Sequence, residues 1–437
     1  MAGPRSAIPD GVIGTVRAIA RGGDGVVLTE HGVVFVPAVA PGERVRLRTV
    51  AREGKVLRGL VAEVLTPSAA RVEAACTLAS RCGGCPLMHL DEGAQRDAKL
   101  GFVREALGPD GADVEVELVP APARLGYRRR ARLAWKRLRS TLVVGYRARR
   151  AHEIVDVTTC PVLDPVLDRA LELVRTRLGN DLAGEGELAL ALGLGGGAAV
   201  VVTTREGQTP AAYRAAEALA SDPGVAGVVL DIGGSRAGFG DAREHSVGLD
   251  GLPLVGPPAG FSQAHEAVND ALARYVVELA APSGARVLEL YAGHGNLTVA
   301  LAAQAESVVA VEQDAQAAAA CDENLRARRL ERAHAVAGDA VAHAQGPRVD
   351  VVVLDPPRDG ARGALEGIAG RRPDRIVYVS CDTATLGRDL GALAGLGFVV
   401  DRARAFDMFP QTAHVEVVVR LVARERTPRL APPTSER

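Results

Sequence analysis

The stretch "VLELYAGHGNLTVALA" (287–302) decides the fold. It reads as an apolar strand, a glycine loop and a helix. Gly293 and Gly295 let the backbone turn tightly and approach a ligand at the helix N-terminus. A dinucleotide fingerprint calls for a third glycine near 298, where Thr298 stands. Moving outward, strand-like runs recur at 307–312, 333–338, 350–355, 375–380, 397–404 and 414–421, with helical patterns between most of them. That alternation predicts an α/β fold with a doubly wound, mostly parallel sheet over 261–423. Glu312, at the end of the second strand, is placed to accept hydrogen bonds from ribose hydroxyls. Asp339, after the third, is placed to meet an adenine amino group. Glu289 lies on the first strand, before the glycines; an acidic strand end, a two-glycine loop and two later acids suit S-adenosylmethionine better than NAD, because that ligand has no pyrophosphate.

The rest of the chain differs in rhythm. Residues 6–66 alternate apolar and polar positions, broken by GGDG, HG and PGE, which suits a small β-barrel. Residues 67–260 carry a cysteine group and mixed strands and helices, including a helix around 164–178. The tail 424–437 reads as disordered. Neither a long apolar run nor a signal-peptide core is visible, so the expected location is the cytoplasm, with no membrane contact. The net charge of −1 by itself points to no polyanionic partner.

Three residues carry candidate chemistry. "VDVVVLDPPRDGAR" sets Asp355 at the carboxyl end of the fourth strand, where open α/β sheets bind ligands. "IVYVSCDTATLGRDL" (376–390) sets Cys381 at the end of the fifth strand, beside polar residues. A thiol there suits covalent catalysis: added to carbon 6 of a uracil, it makes carbon 5 nucleophilic. A base must then remove the carbon-5 proton, and Glu416, opening the strand "HVEVVVRL", is the candidate. Cys321, in the Ala-rich helix "AQAAAACDENL", reads instead as a buried structural thiol.

Cys76, Cys82, Cys85 and the distant Cys160 supply four thiolates, the count needed for an iron–sulfur or zinc site. Three close ligands and one distant, followed by Pro161, resemble cluster binding more than paired zinc knuckles. Residues 121–150 hold ten Arg and Lys136 with no acid, and Tyr127, Trp135 and Tyr146 are interleaved. That asymmetry predicts an RNA-facing surface in which Arg128, Arg129 and Arg130 contact phosphate.

The motifs "CGGC", "YRRRARL", "FSQ", "LELYAGHGN", "LDPPR", "SCDTATLGRDL" and "HVE" together resemble the bacterial RNA uracil-C5 methyltransferases, from about residue 6 to 421. The resemblance implies S-adenosylmethionine-dependent formation of 5-methyluridine in tRNA or 23S ribosomal RNA. It implies Cys381 as nucleophile and Glu416 as base. It implies that Gln263, Tyr291, Asn296, Glu312, Asp339 and Asp355 line the methyl-donor site. It also implies a TRAM domain, an OB-like RNA-binding module, at the N-terminus and a 4Fe–4S cluster on the four cysteines, with zinc the alternative. A structured RNA is the expected partner, and the chain is expected to act as a monomer. The chain departs from the family at Pro86 and Met88, where relatives often carry Gln. Two other readings stand beside this one: an RNA methyltransferase of other base specificity, and a non-catalytic RNA-binding iron–sulfur protein.

Overall fold

A computed structural model describes residues 8–139 and 141–424. The first strands, β1 (Ile13–Ile19), β2 (Gly25–Thr29), β3 (Gly32–Val36), β4 (Arg44–Glu53) and β5 (Val56–Thr66), close into a barrel in the order β1-β2-β3-β5-β4. Alternate residues point inward, as the two-residue period of a strand requires, and Val27, Val34, Val45 and Leu47 fill the interior. Helix α1 (Glu92–Leu107) follows. Asp91 caps it by accepting from Ala94 N at 2.7 Å, and Gly108, at φ 62°, ends it. The sequence reading did not anticipate this helix.

After the two-residue strand β6 (Leu118–Val119) comes a central sheet. Its strands are β7 (Arg130–Leu138), β8 (Thr141–Arg147), β9 (Ile154–Asp156), β10 (Glu185–Leu192), β11 (Ala198–Thr204), β12 (Val225–Ile232) and β13 (Ser235–Gly240), in the order β13-β12-β11-β10-β7-β8-β9. Helices α2 (Pro165–Leu173) and α3 (Pro210–Ala220) bury Leu167, Leu171 and Leu219 in its core. A π-helical turn, Val174–Leu178, extends α2 to the end expected from the sequence. A small hairpin, β14 (Glu244–Val247) and β15 (Pro253–Gly256), leads onward.

The last sheet alternates as the sequence predicts. Its elements are α4 (Glu266–Ala280), β16 (Arg286–Leu290), α5 (Thr298–Ala302), β17 (Ser307–Glu312), α6 (Ala315–Ala327), β18 (Ala333–Ala337), α7 (Ala340–Ala344), β19 (Val351–Leu354), α8 (Leu365–Gly370), β20 (Arg375–Ser380), α9 (Thr383–Gly395), β21 (Phe398–Phe406) and β22 (Glu416–Ala423). The strand order is β18-β17-β16-β19-β20-β22-β21-β6. All pairings are parallel except those of β22, which runs against both neighbours. Helices cover both faces, so β19 reads as an unbroken apolar run, with Val351, Val352, Val353 and Leu354 all fully buried.

The early chain returns to this sheet. β6 adds its edge strand, and Val103, Ala106 and Leu107 of α1 enter the same core as Leu354, Tyr378 and Leu386. α1 packs so closely on α9 that a Cβ on Gly387 would stand 3.1 Å from Ala106 O. No helix among the described residues is long and apolar enough to cross a membrane. The tail expected from residue 424 lies, past Arg424, outside the described residues.

Candidate active site and the cysteine cavity

The parallel register aligns the strand ends. Leu290 pairs with Val311 on one side and with Leu354 on the other, and Leu354 pairs with Tyr378. The residues just beyond, Tyr291, Glu312, Asp355 and Cys381, therefore share one edge of the sheet. β22 runs the opposite way, so its first residue meets the others' last ones. Ser380 pairs with Val417, which sets Glu416 beside Cys381.

Gln263, Tyr291, Asn296 and Asp355 line one cleft together with Glu289 and Asn269. Gln263 Nε2 donates to Asp355 Oδ2 at 3.5 Å, and Asn269 and Asn296 exchange two amide hydrogen bonds of 2.9 and 3.0 Å. Tyr291 holds φ 64°, a left-handed conformation that side chains rarely adopt. Gly293 and Gly295 continue this turn at φ 58° and 99°. A Cβ on Gly295 would stand 2.9 Å from Cys321 Sγ. Cys321 is thus a buried wall behind the loop, as the sequence reading expected of it.

Glu312 and Asp339 stand at neighbouring strand ends but do not line this cleft. Glu312 accepts from Gly293 N and Asp314 N, both at 2.9 Å, and so braces the glycine loop from behind. Asp339 caps α7 by accepting from Ala342 N at 3.0 Å. Each carboxylate keeps acceptor capacity for a ligand. Glu289, which the sequence reading noted on the strand before the glycines but did not place among the site residues, also lines the cleft. It is 2% exposed, and its Oε2 has no hydrogen-bond partner among the described residues. Burial pushes its carboxyl up to about 8. The signal available was an acid inside the apolar run "VLELY".

Cys381, Glu416 and Asp355 form an electrostatic unit. Glu416 is 3% exposed; burial, and then the Asp355 charge, raise its pKa above the usual carboxylate range, with the Arg358 guanidinium opposing. Burial raises Asp355 likewise. The half-buried Cys381 thiol is pushed up to about 12, first by burial, then by Glu416 and Asp355, again against Arg358. Asp382, the next residue, caps α9 by accepting from Ala384 N and Thr385 N at 2.9 Å. His414 joins the group from the loop before β22, its Nε2 standing 3.4 Å from an Arg358 amino group.

The four cysteines also converge. Cys76, Cys82, Cys85 and Cys160 line a single small cavity, with Met88 and Tyr146 in its wall. Among the described residues no three His, Cys, Asp or Glu close around a point as a single metal ion requires. Burial pushes Cys85 up to about 12 and Cys160 to about 11, and each is raised further by other thiols of the group. The Tyr146 hydroxyl is buried there without a partner among the described residues.

The basic stretch divides: Arg132, Lys136, Arg139, Arg147 and Arg150 are exposed, whereas Arg128, Arg129 and Arg130, expected to contact phosphate, are partly buried and engaged within the protein. Arg128 is partly buried between the cysteine cavity and the Phe409 ring, whose centroid lies 5.9 Å from its guanidinium carbon. Arg129 pairs with Glu266. Arg130 lies over the Phe261 ring at 4.7 Å and donates to Ser262 O at 3.1 Å. Trp135 is 1% exposed and Tyr127 is buried, its hydroxyl donating to Pro410 O at 3.1 Å. Alternation along β7 sends every second residue inward, and a carbonyl, an acid and two rings of the same protein engage the guanidiniums at its start.

Residues 343–424 match a family profile described as tRNA (uracil-5-)-methyltransferase, and residues 261–380 one described as conserved hypothetical protein 95. A 23S rRNA (uracil(1939)-C(5))-methyltransferase of Chromohalobacter salexigens is 34% identical, over 95% of this chain and 90% of that protein. An uncharacterized RNA methyltransferase of Gloeobacter violaceus is 34% identical over 93% of this chain and 95% of its own length. Among solved structures, the tRNA (uracil-54, C5)-methyltransferase of Pyrococcus abyssi, in complex with S-adenosyl-L-homocysteine, superposes with a TM-score of 0.75. It has 25% identity and covers 94% of this chain and 100% of that one.

Proposed function

The chain belongs to the RNA uracil-C5 methyltransferases, and from that premise we propose that it methylates carbon 5 of a uridine in 23S rRNA or tRNA through a covalent bond to Cys381. The higher identity to the 23S enzymes favours ribosomal RNA as the first substrate to test. The observation that carries the mechanism is the antiparallel register of β20 and β22, which sets a buried carboxyl beside the half-buried thiol.

S-adenosylmethionine, when bound, supplies an electrophilic methyl group. The cleft fits such a ligand. Glu289 offers an unpartnered acceptor, and Gln263, Tyr291, Asn296 and Asp355 offer further polar contacts, with Glu312 and Asp339 at the adjacent strand ends. The uridine must leave its stack to reach Cys381. The thiol passes its proton to the neighbouring carboxylate pair, and sulfur bonds to carbon 6. Carbon 5, made nucleophilic, would then take the methyl as the methyl's bond to the sulfonium sulfur breaks and the electron pair stays on that sulfur. Glu416 accepts the carbon-5 proton, the carbon–sulfur bond breaks, and sulfur leaves with its electron pair and regains a proton. Burial supports the base role, because a carboxyl raised toward neutrality is a stronger base than an ordinary one.

Residues 6–66 are proposed as a TRAM-type, OB-like RNA-binding barrel, 67–260 as a central domain carrying a metal cluster, and 261–423 as the methyltransferase domain. Four thiols around one cavity, with a buried unpartnered Tyr146 hydroxyl in its wall, fit a 4Fe–4S cluster on Cys76, Cys82, Cys85 and Cys160. No step of the methyl transfer needs it.

The test is RNA containing 5-fluorouridine, whose carbon-5 fluorine cannot be removed as a proton. The wild-type enzyme should form a denaturant-resistant adduct and Cys381→Ala none. Nucleoside mass spectrometry on 23S rRNA and tRNA from a deletion strain should locate the missing 5-methyluridine. An adduct that persists in Cys381→Ala refutes the mechanism.

A further inference from the structure

The loop 407–415, which joins β21 to β22 and ends at Glu416, is held from below by side chains that belong to neither the cleft nor the sheet edge. Lys99 of α1 is fully buried and donates to Asp407 Oδ1 at 2.5 Å and to Phe409 O at 3.0 Å. Gln95, one turn earlier and 1% exposed, donates to Gln411 Oε1 at 3.0 Å and accepts from Gln411 N at 3.0 Å. The same Gln95 amide nitrogen shares its two hydrogens with Leu87 O and Leu90 O as well, at 3.0 and 2.9 Å, which ties the loop to the segment after the cysteines. Leu87 N donates to Gln411 O at 2.9 Å, and the Tyr127 hydroxyl donates to Pro410 O.

Two features mark this as more than ordinary packing. Gln411 holds φ 70°, a left-handed conformation that a non-glycine residue keeps only when its surroundings over-determine it. A buried cation and a buried amide are also poor choices for stability alone, but fully satisfied they specify one geometry. The gripped segment leads, within five residues, into Glu416.

We propose that Gln95 and Lys99 are positioning residues for the reaction: they clamp the loop 407–411 and thereby hold Glu416 in line with the carbon-5 proton. Both are buried away from RNA, so they act through the loop and not by contact with substrate. The proposal rests on Glu416 being the base. A base displaced by about 1 Å loses on the order of 100-fold in rate.

The experiment compares Gln95→Leu, Lys99→Met and Tyr127→Phe with wild type and Glu416→Gln. Three quantities are read: S-adenosylmethionine affinity by calorimetry, the rate of adduct formation with 5-fluorouridine RNA, and the fraction of enzyme trapped as adduct on ordinary uridine RNA. The clamp predicts near-normal affinity and fluorouridine adduct, turnover down about 100-fold for Gln95→Leu and Lys99→Met, and accumulation of the methylated adduct as in Glu416→Gln. Tyr127→Phe removes a single hydroxyl and should show the same split, several-fold in size. It decides the matter if the other two do not fold. If Glu416→Gln traps adduct and the anchor variants do not, the clamp is overturned alone. A parallel fall of affinity, adduct rate and turnover makes the anchors merely structural and overturns it too. If Glu416→Gln turns over without trapping, the base assignment falls and takes the clamp with it.

Discussion

Gln95 and Gln411, 316 residues apart in sequence, exchange a pair of 3.0 Å hydrogen bonds in the protein interior. The first hundred residues and the last thirty thus build the same corner of the candidate site. The cysteine cavity touches that corner as well, since Arg128 lies between its wall and Phe409. A substitution near one of these places should be read for its effect on the others.

Cys381→Ala should abolish methylation, by a factor on the order of 10⁴ or more, the scale reached when a covalent nucleophile is deleted. The thiol is only half buried, so the fold should be little affected. Single-turnover kinetics with a thermal-unfolding control checks both halves.

The raised carboxyls make stability depend on pH with a definite sign. A carboxyl whose folded pKa lies above its unfolded value favours folding while protonated, and that contribution is lost as pH climbs through the folded value. Burial raises both Asp355 and Glu416 from ordinary values of 3.8 and 4.5. Glu416→Gln stays neutral throughout. Its stability should match wild type near about pH 4 and exceed it increasingly toward about pH 8, by on the order of 1–3 kcal/mol, read from thermal unfolding. Wild-type turnover should rise over the same interval, because the base acts only when ionised. An unfolding midpoint for Glu416→Gln that tracks wild type at every pH contradicts the raised carboxyl.

Gly295→Ala should damage the cofactor cleft. The new Cβ would sit 2.9 Å from Cys321 Sγ on a backbone at φ 99°. Strain of about 1–3 kcal/mol should appear as a lower unfolding temperature and at least a several-fold weaker S-adenosylmethionine affinity by calorimetry. Adding Cys321→Ala, which clears the contact but leaves the backbone strained, should restore only part of the loss.

Arg130→Met should weaken the fold by about 1–2 kcal/mol, since it loses the stack on Phe261 and the bond to Ser262 O. The salt dependence of RNA binding should be unchanged, because this guanidinium is held within the protein by the Phe261 ring and Ser262 O. A slope lowered by about one unit would return Arg130 to phosphate contact.

Cys85→Ala should abolish iron and acid-labile sulfide, expected at about four of each per chain in the anaerobically purified wild type. Elemental analysis giving zinc and no sulfide would replace the cluster with a single ion.

Much of this was legible from local pattern. The run 287–302 announces a strand, a glycine turn and a helix, and the alternation after it predicts a sheet whose carboxyl ends gather Glu312, Asp355 and Cys381 on one edge. The four cysteines were visible by their spacing. Periods of 2.0 and 3.6 are properties of a few consecutive residues, so sequence alone determined which elements form and which residues stand at their ends. Only the tertiary structure decided the rest. The capture of Arg128 and Arg130 within the protein depends on partners as far off as Phe409 and Phe261. The meeting of Glu416 with Cys381 depends on β22 entering the sheet backwards. The grip of Lys99 and Gln95 depends on α1 packing against a loop three hundred residues away. Burial and strand direction are set by what lies across the interface, and no short stretch of chain contains its own neighbours.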